Sequence, residues 1–567
     1  MFVFNNSFSN HTKARMKLWG FVCLLPAFVI VGRLFYLQTF QHEKFTDRTE
    51  RTIYNYLRED RLRGEIYDVK GNFLAQSVRT HSCGISRRYV QDPEKTKDFL
   101  VKTLGIDRKE LNKLWGRKSN FFFVAKKIKP DVYANLAPVL RTPLGQGLEV
   151  TPEYERIHPY GDSALDILGE ANSKNWGLSG IELMFNDELS QDISKRRAKR
   201  AQRGEVIYDR SLKEERSVGS LYLTIDMLAQ YYAESALEKA VKNYEPERGL
   251  ILVQEPKTGR ILAAASYPRK DGQSLAFQFT YEPGSTFKTI AVASALDAGA
   301  VSINDRIDMS NRQWEVARGV VVKDKQHNKD YLTIPEIMAL SSNIGAGKIA
   351  LELGAKNLFY YIKAFGFGTK TDINFNGESK GAVAPYNTWT KVDTASKGYG
   401  YGVALTPIQL ITAYSAIAND GVLMQPHLVD RIEYADGRVE KKAKPQKIRQ
   451  VIKPETAQTM KRVLEHVVLE GSGKKAQIAG YSVAGKTGTA EKLDKAGGYA
   501  KRRHVVSFCG FTPIENPRFT ILIILDNPAK YTFGGTAAAP VFKEVAEGLL
   551  AMEGIAPDQP EQLQPSN

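Results

Sequence analysis

The run Tyr281-Glu282-Pro283-Gly284-Ser285-Thr286-Phe287-Lys288 decides how this sequence is read. Pro283-Gly284 punctuates the chain, and the stretch from Ser285 to Ala298-Gly299 is small and apolar, so the sequence predicts a turn that opens a buried helix. Ser285 and Lys288 stand three residues apart, a spacing that stacks their side chains on one helical face. A hydroxyl beside a buried lysine is a candidate nucleophile, because desolvation lowers the amine's pKa toward neutrality. Ser-x-x-Lys alone says little. Ser472-Gly473-Lys474-Lys475 matches it too.

Two further elements lie downstream. Ser341-Ser342-Asn343 follows an amphipathic helical stretch, Ile334 to Leu340, and presents a hydroxyl and an amide two residues apart. Read singly, such a triplet is a helix cap or turn, as Ser302-Ile303-Asn304 would be. Lys486-Thr487-Gly488-Thr489 sits in a strand pattern, followed by the apolar strand pair Val505 to Phe511 and Phe519 to Leu525. On an edge strand the glycine lets an extended substrate backbone approach, and the lysine and threonine hydroxyls suit a carboxylate. Lys257-Thr258-Gly259 is a decoy, upstream of the serine and on a hairpin turn.

Outward from these elements, the second half opens at Leu221 to Asp226, an alternating strand feeding a helix from Met227 to Asn243. The runs 249–254 and 260–265 then form a hairpin, and a helix over 538–550 closes the half. In the first half Arg63 to Asp68 and Lys70 to Ala75 read as a hairpin, followed by helical, charged stretches to about residue 200 that include Asp107 to Trp115.

At the N-terminus Leu18 to Phe40 is apolar apart from Arg33, Gln38 and a few small residues, long enough for one membrane-crossing helix. Lys13, Arg15 and Lys17 precede it, which predicts a cytoplasmic N-terminus with everything beyond residue 40 across the membrane. No small-x-small cleavage site follows, which argues against a cleaved signal peptide. Three cysteines cannot make a disulfide framework, and Cys83 and Cys509 read as buried small hydrophobes. Neither the cysteines nor the eight scattered histidines suggest a metal site. The net charge of +16 points to an anionic partner such as lipid head groups or a carboxylate-rich polymer. Across the membrane nucleic acid is not expected, and the basic run Lys195 to Arg200 reads as a solvated helix face or loop.

Ser-x-x-Lys, Ser-x-Asn and Lys-Thr-Gly in this order resemble the motif set of the penicillin-binding and serine β-lactamase superfamily. The likeness extends to Leu223 to Asp226, Gly398-Tyr399-Gly400, Leu405-Thr406-Pro407 and Gly485 to Ala490, and from about Leu221 to Leu550 the chain looks like a class B penicillin-binding protein. Arg63-Gly64-Glu65-Ile66 and Gly180-Ile181-Glu182 are similar to that class's non-catalytic pedestal. Phe533-Gly534-Gly535 with Ala539 to Phe542 resembles its septal, FtsI branch.

The resemblance implies an α+β fold: a transpeptidase domain of antiparallel sheet and helices, preceded by a membrane anchor and an elongated α+β pedestal. The expected divisions are a cytoplasmic tail (1–17), a transmembrane anchor (18–40), the pedestal (41–220), the transpeptidase domain (221–552) and a disordered tail (553–567). It implies a serine-type D-Ala-D-Ala transpeptidase (carboxypeptidase class 3.4.16.4) of the inner membrane. Its substrates would be peptidoglycan stem peptides and its covalent inhibitors β-lactams, and it would use no cofactor or metal. A glycan polymerase and other division proteins would be its partners. By resemblance Ser285 is the nucleophile, Lys288 its base, Ser341 and Lys486 relay a proton, and Asn343 holds the donor amide. Thr487, Gly488 and Thr489 bind substrate, and the backbone N–H groups of Ser285 and Thr489 form the oxyanion hole.

An elongation-type enzyme of the same class is the nearest alternative, and a β-lactam sensor lies further off. A class A β-lactamase would need a Glu-x-x-Leu-Asn segment, which is absent. From another class, Gly480 to Thr487 matches the P-loop pattern, but a P-loop must feed a helix, whereas glycines and charged residues follow here.

Overall fold

The structure is a computed structural model that describes residues 10–39, 41, 63–172, 175–190, 198–200, 206–208, 218–270, 272–324, 329–434, 436–440, 444–493 and 499–560. It divides into two units, residues 1–60 with 192–216 and residues 61–191 with 217–567. The first nine residues, Lys195 to Arg197 of the basic run, and residues 561–567 of the expected tail lie outside the described residues.

In the first unit, helix α1 spans Asn10–Thr39. Among the described residues no helix is long and apolar enough to cross a membrane. Ala198–Arg200 pairs antiparallel with Val206–Tyr208, so the described end of the basic run is strand rather than the expected helix face or loop.

In the second unit β1 (Ile66–Tyr67) and the long β2 (Phe73–Ser86) form the hairpin expected at Lys70-Gly71-Asn72. Helix α2 (Arg108–Trp115) starts at Asp107, whose side chain accepts from the N–H of Lys109. The charged region after it is not all helical, which corrects the sequence expectation: β3 (Phe121–Ile128) and β4 (Leu148–Ile157) both pair with β2. β3 buries only Phe122 and Ile128 and β4 buries none of its residues fully, so the apolar alternation that marks a strand is weak in them. Pro152 is tolerated in β4 because β4 pairs on one side only.

Helix α3 (Gly180–Met184) carries Glu182, which joins the two motifs quoted from this half. The Arg63 guanidinium pairs with the Glu182 carboxylate with both side chains fully buried, and Arg156 Nε donates to the other Glu182 oxygen at 2.7 Å. Arg63 also donates to Asn186 Oδ1 and to the Asn175 carbonyl, each at 3.1 Å, which satisfies charge that would otherwise be costly to bury. Next in the chain come β5 (Gly219–Leu223), α4 (Met227–Tyr244), β6 (Arg248–Gln254), β7 (Ile261–Tyr267) and α5 (Lys288–Asp297). They are followed by a hairpin of β8 (Gln313–Ala317) and β9 (Val320–Lys323), then α6 (Ile334–Leu340), α7 (Asn343–Leu353) and α8 (Pro407–Ala418). Strands β10 (Val429–Tyr434) and β11 (Val439–Glu440) precede α9 (Pro454–Leu469). The chain closes with β12 (Ala484–Leu493), β13 (Tyr499–Thr512), β14 (Phe519–Asp526) and α10 (Gly534–Met552).

Two sheets organise this unit. The first runs β11-β10-β5-β1-β2-β3 with β4 on β2, so strands from the C-terminal half complete the sheet of the N-terminal half. The second is antiparallel in the order β12-β13-β14-β6-β7. Its central strands are apolar on both faces for a physical reason. Ile251, Val253, Ile521 and Ile523 point to one side and pack on α4 and α10, whereas Leu250, Leu252, Leu522 and Ile524 point to the other and join the core around α5 and α8. Each fully buried Leu or Ile contributes about 1.5–3 kcal/mol. The sheet is thus a rigid middle layer, and β12 is its edge.

Candidate active site

Ser285 lies in a 3₁₀ turn, Gly284–Phe287, that runs directly into α5. Gly284 has φ +53°, and a Cβ there would stand 2.9 Å from Ala490 Cβ and 3.0 Å from the Thr489 carbonyl. The turn and β12 therefore touch through backbone. Gly284 N–H donates to the Gly400 carbonyl at 3.2 Å, and Gly402 N–H donates to Glu282 at 2.7 Å, which fastens the Tyr399–Gly402 loop to the turn. From α8, the buried Tyr414 hydroxyl donates to the Thr286 carbonyl at 2.8 Å and lies 2.8 Å from the Thr289 hydroxyl.

Lys288 is fully buried at the start of α5. Its Nζ stands 3.1 Å from Ser285 Oγ, 2.6 Å from the Ser341 carbonyl, 3.2 Å from Ser341 Oγ and 2.7 Å from Asn343 Oδ1. Ser341 reaches this position as the left-handed C-cap of α6, and Asn343 as the first residue of α7, so the cap reading of this triplet and the functional one describe the same geometry. An ammonium has three N–H groups, fewer than these four oxygens. A neutral amine would give its two N–H groups to the Ser341 carbonyl and Asn343 Oδ1, which can only accept, and turn its lone pair to the Ser285 O–H. The site can therefore take a proton from Ser285 without moving an atom far.

Lys486, Thr487, Gly488 and Thr489 lie in β12, with Lys486 opposite Cys509 on β13. Lys486 is fully buried, and its Nζ donates to the Thr487 carbonyl and to Thr487 Oγ1, both at 3.3 Å. A cavity of about 1000 Å³ is shared by Ser285, Ser341, Asn343, Thr487 and Thr489, so both walls of the site open into one cleft. Lys486 and Thr487 sit inside a strand and not at a helix start, so the P-loop reading fails on geometry. Another cavity, about 760 Å³ near Phe185 and Gln425–Val429, includes none of these side chains.

Two neighbours were not singled out from sequence as part of this site. Asp324, just after β9, accepts at 2.7 Å from the Asn343 N–H and at 3.2 Å from the Ile344 N–H, and also holds the Ser342 hydroxyl. It caps α7 from a separate segment, and an acidic residue upstream of a Ser-Ser-Asn helix start was the only signal for it. Ser472, read as a decoy nucleophile, places its Oγ 2.7 Å from Thr487 Oγ1. Cys83 and Cys509 are buried and free, and burial pushes the Cys83 thiol up to about 12, as for an inert small hydrophobe. Among the described residues no group of three or more His, Cys, Asp or Glu side chains could hold a metal ion.

The family model of the penicillin binding protein transpeptidase domain matches residues 249–547, and that of the penicillin-binding protein dimerisation domain matches residues 59–220. The chain is 32% identical to stage V sporulation protein D of Bacillus subtilis over 97% of this chain and 87% of that protein. It is 28% identical to peptidoglycan D,D-transpeptidase FtsI of Escherichia coli over 95% of this chain and 92% of that one. Penicillin-binding protein 3 of Mycobacterium tuberculosis, solved with aztreonam, shares the fold at a TM-score of 0.67 and 24% identity, with 90% of this chain and all of that one covered. The two family models in this order, spanning the pedestal sheet and the Ser285 cleft alike, place the chain among the penicillin-binding proteins of class B, FtsI type.

Proposed function

We propose that the protein is a peptidoglycan D,D-transpeptidase that works through an acyl-enzyme on Ser285. The observation that carries this reading is the set of oxygens around the buried Lys288 amine, one of which is the Ser285 hydroxyl. Ser285 Oγ attacks the carbonyl carbon of the penultimate D-Ala while its proton passes to Lys288 Nζ. The carbon–nitrogen bond then breaks, and the terminal D-Ala leaves as an amine that takes a proton through Ser341, with Lys486 favouring the transfer. An amine of a neighbouring stem peptide attacks the ester, forms the new amide and frees Ser285. Asn343 holds the donor amide. Thr487, Gly488 and Thr489 present the edge of β12 to the extended peptide, and the two threonine hydroxyls take its terminal carboxylate. The N–H groups of Ser285 and Thr489 receive the developing oxyanion, each donor worth about 10²–10³ in rate.

A D-Ala-D-Ala-terminated peptide with an acceptor amine tests this reading. Release of D-Ala with formation of the cross-linked product is expected from the wild type and not from Ser285→Ala. Labelled penicillin should modify Ser285 alone. Labelling without turnover would make the protein a β-lactam sensor, and label on Ser472 would refute the assignment.

The finer reading is a septal enzyme of the inner membrane, anchored by residues 18–40 with its N-terminus in the cytoplasm and paired with a glycan polymerase and other division proteins. Residues 41–220 form its pedestal, 221–552 its catalytic domain and 553–567 its tail. The anchor is supported by Lys13, Arg15 and Lys17 ahead of the apolar run, and by wide exposure of Leu18, Trp19, Phe21, Ile30 and Phe35 along α1. Midcell enrichment of labelled protein is expected, and a lateral distribution would favour the elongation alternative.

A further inference from the structure

Ser472 lies in a short segment wedged between two walls of the cleft. Its N–H donates to the Ala339 carbonyl at 3.0 Å, two residues before Ser341. A Cβ on Gly471 would stand 2.7 Å from Ala339 Cα, and a Cβ on Gly535 would stand 2.3 Å from the Ser472 carbonyl oxygen. Backbone contacts with α6 and with the start of α10 thus set where the Ser472 hydroxyl points. It lines the same cavity as Ser285, Thr487 and Thr489, and its Oγ is 2.7 Å from Thr487 Oγ1.

A threonine hydroxyl has one proton and two lone pairs. Lys486 Nζ, which can only donate, approaches Thr487 Oγ1 at 3.3 Å and takes one lone pair. If Ser472 donates across the 2.7 Å contact, the second lone pair is filled as well. The Thr487 proton then has no acceptor within the chain Lys486–Thr487–Ser472 and is left for a ligand. An anion beside Thr487 selects this arrangement, because the reverse orientation would spend the Thr487 proton on Ser472.

We propose that Ser472 is a positioning residue that turns the Thr487 proton toward the substrate carboxylate. This rests on the reading of β12 as the carboxylate-binding strand. The Ser472-Gly473-Lys474-Lys475 match to the nucleophile pattern is then coincidental, and its serine serves the binding wall.

Acylation by a penicillin and by its carboxylate methyl ester, measured as second-order rate constants, tests the proposal. The wild type should prefer the acid, and Thr487→Val should reduce that preference. Ser472→Ala should slow acylation by the acid about three- to tenfold, the loss typical of one neutral hydrogen bond, and leave the ester nearly unchanged. Ser472→Thr should restore the preference. Equal slowing of acid and ester in Ser472→Ala would mark a structural role and overturn the proposal. An unaltered acid preference in Ser472→Ala, with the preference reduced in Thr487→Val, would overturn it and leave the carboxylate reading standing. If Thr487→Val keeps the full preference, the carboxylate reading falls and the proposal with it.

Discussion

Replacing Lys288 with Arg separates the charge at this position from its ability to accept a proton. Arginine stays charged at any working pH and has no lone pair to offer, yet it still donates to the Ser341 carbonyl and Asn343 Oδ1 that now face Lys288. The proton path from Ser285 Oγ, 3.1 Å away, is cut. Loss of a positioned general base typically slows a reaction about 10²–10⁴-fold, or roughly 3–5 kcal/mol on the barrier. Lys288 is fully buried, so the larger guanidinium also costs about 1–3 kcal/mol of packing. Thermal unfolding therefore accompanies the kinetics, and Lys288→Met serves as a variant of similar volume without charge. Acylation by a fluorescent penicillin is followed from pH 6 to 10. Both variants should acylate far more slowly than the wild type across this range while remaining folded. A Lys288→Arg protein that acylates within about threefold of wild type would show that Lys288 is not the base.

Lys486 acts through its field and its bonds to Thr487, so Lys486→Arg should keep measurable acylation while Lys486→Ala loses about tenfold or more; equal rates for the two would refute the electrostatic role. Asp324→Ala removes the acceptor for the Asn343 and Ile344 N–H groups, which should cost about 0.5–2 kcal/mol of stability as a lost cap and slow acylation by loosening Asn343. Unfolding melts and acylation rates check both parts, and an unaltered rate would make Asp324 purely structural. Burial, above all, raises the Asp166 carboxyl to about 7. Well below its ordinary value of 3.8 the carboxyl is protonated in folded and unfolded chains alike; between there and about 7 the unfolded chain ionises while the folded one keeps its proton, so stability on the order of 4 kcal/mol present in acid is lost by neutral pH. Asp166→Asn should match wild type near pH 4 and melt higher at pH 8. An equal difference at both pH values would clear Asp166 of this role.

What the sequence showed and hid follows from how far each contact reaches along the chain. Ser285 and Lys288 are three residues apart on one turn and one helix, so local geometry alone puts the hydroxyl beside the amine. The β6–β7 hairpin and the β13–β14 pair were legible for a related reason: buried on both faces, β6, β7, β14 and the part of β13 from Val505 on are nearly unbroken apolar runs. β3 and β4 were read as part of a helical, charged region because they bury too little to alternate, and their pairing with β2 is decided by tertiary contact. Asp324 and Ser472 stand at the far end of this scale. Asp324 meets Asn343 because β8 and β9 fold back against α7, and Ser472 meets Thr487 because Gly471 and Gly535 let three segments close to backbone distance. Neither residue is marked by its neighbours in sequence, and Ser472 is disguised by two lysines that follow it. A hydroxyl in this cleft takes its role from the groups that compete for its one proton and two lone pairs, so Ser285 faces an amine that can accept and Ser472 faces a threonine whose own proton is needed elsewhere.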